Sequence, residues 1–105
     1  MKIRIVSLLA ALLLFAVLAA PAMADDAKAR GLINSLGCKG CHTFEGSGGS
    51  IGPALDGTGK HLSEDQIREK LLEPKKSNPK SMMPAYGHLA KEDVDALTDF
   101  LAAQK

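Results

Sequence analysis

Gly37-Cys38-Lys39-Gly40-Cys41-His42 is the stretch from which the rest of this chain is read. Two thiols three residues apart on one turn of backbone can reach the two vinyl groups along one edge of a porphyrin. Each thiol adds across a vinyl group and becomes a thioether. The next residue, His42, is then held beside the ring and offers a nitrogen to the iron. Gly40 lets the backbone approach closely. The pattern points to one haem c, covalently attached through Cys38 and Cys41, with His42 as a metal ligand. Three other chemistries use such a pair. A disulfide would suit an oxidising compartment. A thioredoxin-like redox pair calls for a βαβ pattern, which the flanking sequence lacks. A zinc site needs further ligands, for which only His61 and His88 remain.

The compartment is legible at the start of the chain. Lys2 and Arg4 precede an apolar run from Ile5 to Ala20, broken only by Ser7, and Ala22-Met23-Ala24 is a small-x-small site. That is the layout of a secretory signal peptide, so residues 1–24 are expected to be removed, leaving a domain over residues 25–105. The apolar run is short for an uncleaved span, which takes roughly 20 residues. No cysteine follows the site to carry a lipid. The expected location is the periplasm, with no stable membrane insertion after cleavage. The remaining 81 residues carry 11 Lys/Arg and 12 Asp/Glu, which excludes the basic excess of a nucleic-acid-binding domain. Their aromatic residues are only Phe44, Tyr86 and Phe100. A domain this small and this poor in aromatics needs a staple.

Three helices are expected. The first runs from Asp26 to about Leu36, with Leu32 and Leu36 at i, i+4 beside Ile33 and a stop at Gly37. The second starts at Ser63, whose capping box is completed by Gln66, buries Ile67 and Leu71, and stops at Pro74. The third runs from about Lys91 to Ala103, with Val94, Leu97, Phe100 and Leu101 on its apolar side and Glu92 and Asp93 in its first turn. Residues 46–59 hold six glycines and residues 74–86 hold Pro74, Pro79 and Pro84, so both read as irregular. No strand pattern, repeat or second domain is visible. Nor is the glycine cluster a phosphate loop, since Gly59-Lys60 is followed by His61 and Ala54 stands where the first glycine belongs.

A second axial ligand is expected from Met82-Met83-Pro84, 40 to 42 residues beyond His42. Pro84 biases Met83 away from helix and sets the chain direction, which helps aim its thioether. Met83 is thus the candidate metal ligand and Met82 a packing residue, although methionines commonly do no more than fill a core. His61 and His88 are further options, each more often found as a surface histidine.

The chain from residue 27 to 104 resembles the small bacterial monohaem class I c-type cytochromes. The resemblance rests on Gly37 to His42 after a first helix, Ile51-Gly52-Pro53-Ala54-Leu55, Met83-Pro84-Ala85-Tyr86, and a last helix ending in Phe100-Leu101. It implies an all-α, cytochrome c-like fold of three or more short helices wrapped around the haem. It implies His42 and Met83 as axial ligands and a Pro53 carbonyl that accepts from the other nitrogen of His42. It also implies a close crossing of the first and last helices, made here by Gly31 and Phe100. One departure is Ala90, a poor N-cap where Ser or Thr is usual.

The expected function is periplasmic electron transfer by one-electron cycling of the iron, without catalysis. The expected partners are a donor and an acceptor protein, and the expected state is a monomer. Lys75, Lys76 and Lys80 are candidates to steer an acidic redox partner, or simply form a solvated face partly offset by Glu69 and Glu73. Two alternatives use the same haem: a gas-sensing or ligand-binding cytochrome with a weak sixth ligand, and an electron-delivering subunit of a larger oxidoreductase.

Overall fold

A computed structural model describes residues 25–105, so the expected signal peptide over residues 1–24 lies outside the described residues. Helix α1 covers residues 25–35, and a 3-10 turn follows at Cys38–Gly40. A hairpin pairs β1 (Thr43–Phe44) with β2 (Ser47–Gly48). Helices α2 (Thr58–His61), α3 (Glu64–Leu72), α4 (Pro74–Ser77) and α5 (Lys91–Ala102) complete the order. The architecture is the mostly helical one expected, with two more short helices and one small hairpin.

Each addition has a local cause. The hairpin turns at Glu45-Gly46, where φ is 51° and 80°. Left-handed conformations at both central positions match the right-handed twist of paired strands. Glu45 is an uncommon residue there, and its neighbours hold it. Arg30 pairs with its carboxylate, and its backbone N–H donates to the Asp56 carboxylate at 3.1 and 3.2 Å. Two-residue strands are too short to show a period, which hid them in the sequence. Pro74 does not simply stop α3, which ends at Leu72. It opens α4, where its fixed φ and missing N–H suit a first helical turn. The strap is therefore extended only beyond Ser77.

The core forms where α1, α3 and α5 meet the hairpin. Ala29 and Ile33 of α1, Ile67 and Leu71 of α3, and Leu97, Phe100 and Leu101 of α5 are buried together with Phe44, Leu55 and Tyr86. Phe44 and Phe100 meet edge to face, with centroids 5.9 Å apart. The Arg30 guanidinium lies 5.5 and 5.2 Å from their centroids, where its charge meets the π faces. Lys28 reaches Asp93 at 3.0 Å and ties α1 to α5 again.

Phe100 takes its expected place in this contact, but Gly31 does not. Gly31 is exposed, and a Cβ built on it meets nothing within 4 Å. The buried stripe of α1 is Ala29 and Ile33, one turn apart. Gly31 lies two residues from each and so faces the other way. Small Ala29, with no accessible surface, lies in the same core cluster as Phe100.

The helix ends follow expectation. The Ser63 hydroxyl accepts from the Gln66 N–H while the Gln66 side chain accepts from the Ser63 N–H; such a cap contributes about 1 kcal/mol. Ala90 gives α5 no side-chain cap, and Glu92 and Asp93 supply negative charge in its first turn instead. Further along α5, Asp95 accepts from Lys91 at 2.6 Å and from Arg68 of α3 at 2.7 Å. Those hydrogen bonds, that of Lys91 first, hold its carboxyl below the usual Asp range. A depressed folded pKa gives stability that is present above the unfolded Asp value of about 3.9 and is lost as pH falls through the folded value. Asp95→Asn should therefore lower the urea midpoint modestly at pH 7 and converge on the parent protein in strong acid. Equal separation of the two curves from pH 7 to pH 2 would contradict this.

Candidate haem-binding site

The attachment segment begins where α1 stops. Gly37 has φ 73°, a left-handed conformation that turns the chain out of the helix. Backbone bonds from Gly40 to Gly37 (2.9 Å) and from His42 to Cys38 (3.0 Å) then wind Cys38 and Cys41 onto one turn. Cys38 and Cys41 are half-buried and not joined by a disulfide, and Cys38 packs against the core. Burial pushes the Cys38 thiol up, partly opposed by a hydrogen bond from its own backbone.

The glycine-rich segment is laced along this turn by three backbone bonds. Gly49 donates to Lys39 at 2.9 Å, Gly52 to Cys41 at 2.7 Å and Leu55 to Thr43 at 2.8 Å. A Cβ on Gly49 would run into the Gly40 carbonyl, so this rung needs glycine. What reads in sequence as a loose connection is a tight sleeve around the attachment turn. It ends at Pro53, whose carbonyl accepts a 2.6 Å hydrogen bond from Nδ1 of His42. That bond fixes the tautomer and leaves Nε2 as the nitrogen free to bind a metal.

His42, Pro53 and Met83 line one cavity of about 360 Å³, with Leu55, Ile67, Leu71 and Leu101 among its apolar walls. This volume falls in the range of sites that enclose a small-molecule ligand, roughly 300–1,000 Å³. Cys38 and Cys41 lie in the turn that leads into His42, outside the lining itself. Met83 is half-buried and Met82 is 75 % exposed, so the first is brought to the cavity and the second to the surface. The strap is held by Tyr86 N–H donating to the Leu71 carbonyl at 2.8 Å, and by Met83 N–H donating to the Ser81 hydroxyl at 3.2 Å. His61 lines the cavity, whereas His88 is exposed beside Tyr86.

Several lining residues escaped the sequence reading. Ile67, Leu71 and Leu101 show as helical stripes, but a stripe does not say whether it meets another helix or a cavity. Thr58, whose hydroxyl donates to the Leu55 carbonyl, gave no signal within the glycine cluster. Among the described residues, no three His, Cys, Asp or Glu side chains converge on a metal site.

The family model "Cytochrome c" matches residues 27–105. The chain belongs to the cytochrome c family. A subunit 2 of cytochrome c oxidase from Alkalihalophilus pseudofirmus is 28 % identical to this cytochrome over 76 residues. The match covers 65 % of this chain and 22 % of the relative, so the chain spans about a fifth of that protein's length. Membership is that of a class I c-type cytochrome, a family that carries a covalent haem c. The residues present fit that group. An apolar cavity carries an imidazole with one nitrogen committed to Pro53, a thioether from Met83, and a thiol pair at the attachment spacing just before the imidazole. Among the described residues, no helix is long and apolar enough to cross a membrane.

Proposed function

We propose that this cytochrome is an exported electron carrier that works as a monomer in the periplasm, with residues 1–24 cleaved as a signal peptide and 25–105 as the functional domain. Cys38 and Cys41 carry the thioether links, and His42 and Met83 are the axial ligands. The observation that carries this reading is the shared cavity: His42 and Met83 line the same apolar space although 41 residues separate them.

The bound iron supplies one-electron exchange between its ferric and ferrous states. The chain does the rest. Pro53 holds the Nδ1 proton of His42, which orients the ring and enriches its donor nitrogen. A Met thioether opposite a His favours a relatively high potential. Ile67, Leu71 and Leu101 keep the site apolar, which limits reorganisation when the charge changes. The reading is that of a carrier rather than an enzyme.

The partners are a donor and an acceptor protein. Lys75, Lys76 and Lys80 near Met83 are suited to steer an acidic one. Lys76 lies 3.9 Å from both Glu69 and Glu73, so part of that charge is offset. Ile51 and Met82, 70 % and 75 % exposed, add apolar contact area next to the ligand segments. The likeness to an oxidase subunit supports a second reading, in which the domain delivers electrons inside a larger oxidoreductase.

Expression of the full chain with recovery of the exported protein tests the proposal. The intact mass should equal residues 25–105 plus one haem, and a pyridine haemochrome spectrum should be that of a c-type haem. The ferric protein should show the weak far-red band of a Met–iron bond. A missing band together with ready carbon monoxide binding would turn the assignment to a ligand-binding cytochrome. Co-purification with a larger oxidoreductase would favour the subunit reading.

A further inference from the structure

Gly52 sits between two bonds that hold the attachment segment. Its N–H donates to the Cys41 carbonyl at 2.7 Å, and the carbonyl of the next residue, Pro53, accepts from His42 Nδ1 at 2.6 Å. A Cβ built on Gly52 would lie 2.5 Å from Cε1, 2.7 Å from Nδ1 and 3.1 Å from Nε2 of His42. All three are ring atoms, so the imidazole rests against the bare backbone of Gly52. No other described glycine has the His42 ring among its nearest neighbours.

The reason for glycine here is not backbone conformation. Gly37, Gly46, Gly48 and Gly57 have positive φ, and Gly52 does not. Its φ lies outside the left-handed region that favours glycine. What a side chain would displace is the ring, and the ring has little freedom to move. The backbone N–H of His42 donates to the Cys38 carbonyl, and the ring Nδ1 is bound to the carbonyl of the residue following Gly52. A methyl group at position 52 must push the imidazole off the Pro53 carbonyl or push the Gly52–Pro53 backbone away from the ring. Either movement weakens the same hydrogen bond.

We propose that Gly52 is a positioning residue for the axial imidazole: the absence of a side chain there lets His42 hold its Nδ1 proton on Pro53. The proposal rests on the reading of His42 as the axial ligand. A hydrogen bond from Nδ1 makes the imidazole a stronger donor and favours the ferric state. Losing that bond shifts the balance toward the ferrous state and raises the potential.

The test compares Gly52→Ala with Gly59→Ala in the holoprotein. A Cβ on Gly59 runs into the Ala102 carbonyl at the end of α5, so that variant should also lose stability but leave the His42–Pro53 bond intact. Gly52→Ala should raise the reduction potential and make the His42 Nδ1 proton exchange with solvent several-fold faster in nuclear magnetic resonance. Gly59→Ala should lower the unfolding midpoint without changing that exchange. A Gly52→Ala protein that loses stability yet keeps the parent potential and exchange rate overturns the proposal. If Gly52→Ala yields no holoprotein, the ferrous parent protein decides. A nuclear Overhauser contact between the Gly52 α-protons and the His42 Hε1 is expected, and its absence overturns the proposal. Porphyrin ring-current shifts of the His42 ring protons report ligation separately. Their absence would remove the ligand reading, whereas the contact at Gly52 stands or falls on the Overhauser effect.

Discussion

His42→Ala should leave the cell without a stable holoprotein. Residues 25–105 have three aromatic side chains, and the walls they form enclose a space of about 360 Å³. A protein of this size has a total stability of about 5–15 kcal/mol at most, and an apolar space left unfilled removes a large part of it. On the proposed reading, His42 fastens the occupant of that space from the side of the attachment turn. Its removal also empties the ring position between Gly52 and Pro53, so the sleeve of backbone bonds around residues 38–43 loses its centre. Haem absorbance per milligram of exported chain should fall to a trace, and whatever chain survives should lack a cooperative unfolding transition. Recovery of a normal low-spin haem protein in good yield would contradict the ligand assignment at its most secure point.

Met83→Ala should have a smaller but more informative effect, because the protein should still assemble. The proposed thioether links and His42 remain, while the part of the cavity wall that Met83 forms opens. Three changes are expected together: loss of the far-red ferric band, binding of carbon monoxide to the ferrous form, and a lower potential, by some part of the roughly 0.8 V that axial ligands span. Stability should fall by about 2 kcal/mol, near the lower end for Met→Ala because Met83 is only half-buried. Met82→Ala is the control within the same tripeptide. Met82 is 75 % exposed, so its loss should cost no more than about 0.5 kcal/mol and leave the spectrum unchanged. Parent spectra in the Met83 variant would transfer the sixth ligand elsewhere. His61, which lines the same cavity, would be the next residue to replace.

Legibility in the sequence varied with the range of the interaction. The Ser63–Gln66 box, the Ile67–Leu71 stripe and the apolar side of α5 are local patterns, and each reappears in the fold. Gly31 failed because a resemblance between families carries a contact but not the phase of a helix. The sequence stripe of α1 falls on Leu32 and Leu36 beside Ile33, whereas the buried pair is Ala29 and Ile33, with Leu32 and Leu36 only partly buried against the core and Gly31 exposed. The hairpin at Thr43–Gly48 failed for a different reason. Its turn depends on Arg30 and Asp56, 15 and 11 residues from Glu45, and no local signal carries that. Pro74 was legible as an interruption but not as the start of α4, since proline both ends one helix and suits the first turn of the next.

By itself the sequence determined the chemistry of attachment, because two thiols and an imidazole within five residues need only one turn of backbone to act together. It also determined the helical class, through periodicity and caps that are properties of neighbouring residues. Pro84 already favoured Met83 over Met82 in the sequence, but only the tertiary structure brought Met83 to the cavity wall and left Met82 exposed rather than packed, because that depends on the direction the strap takes. It decided that the glycine-rich stretch is a sleeve rather than a tether, because close approach between residues 38–43 and 49–55 is a fact about two backbones. And it decided the place of Gly52, whose missing side chain is explained by no turn or dihedral angle of its own but by the ring of His42 lying against it.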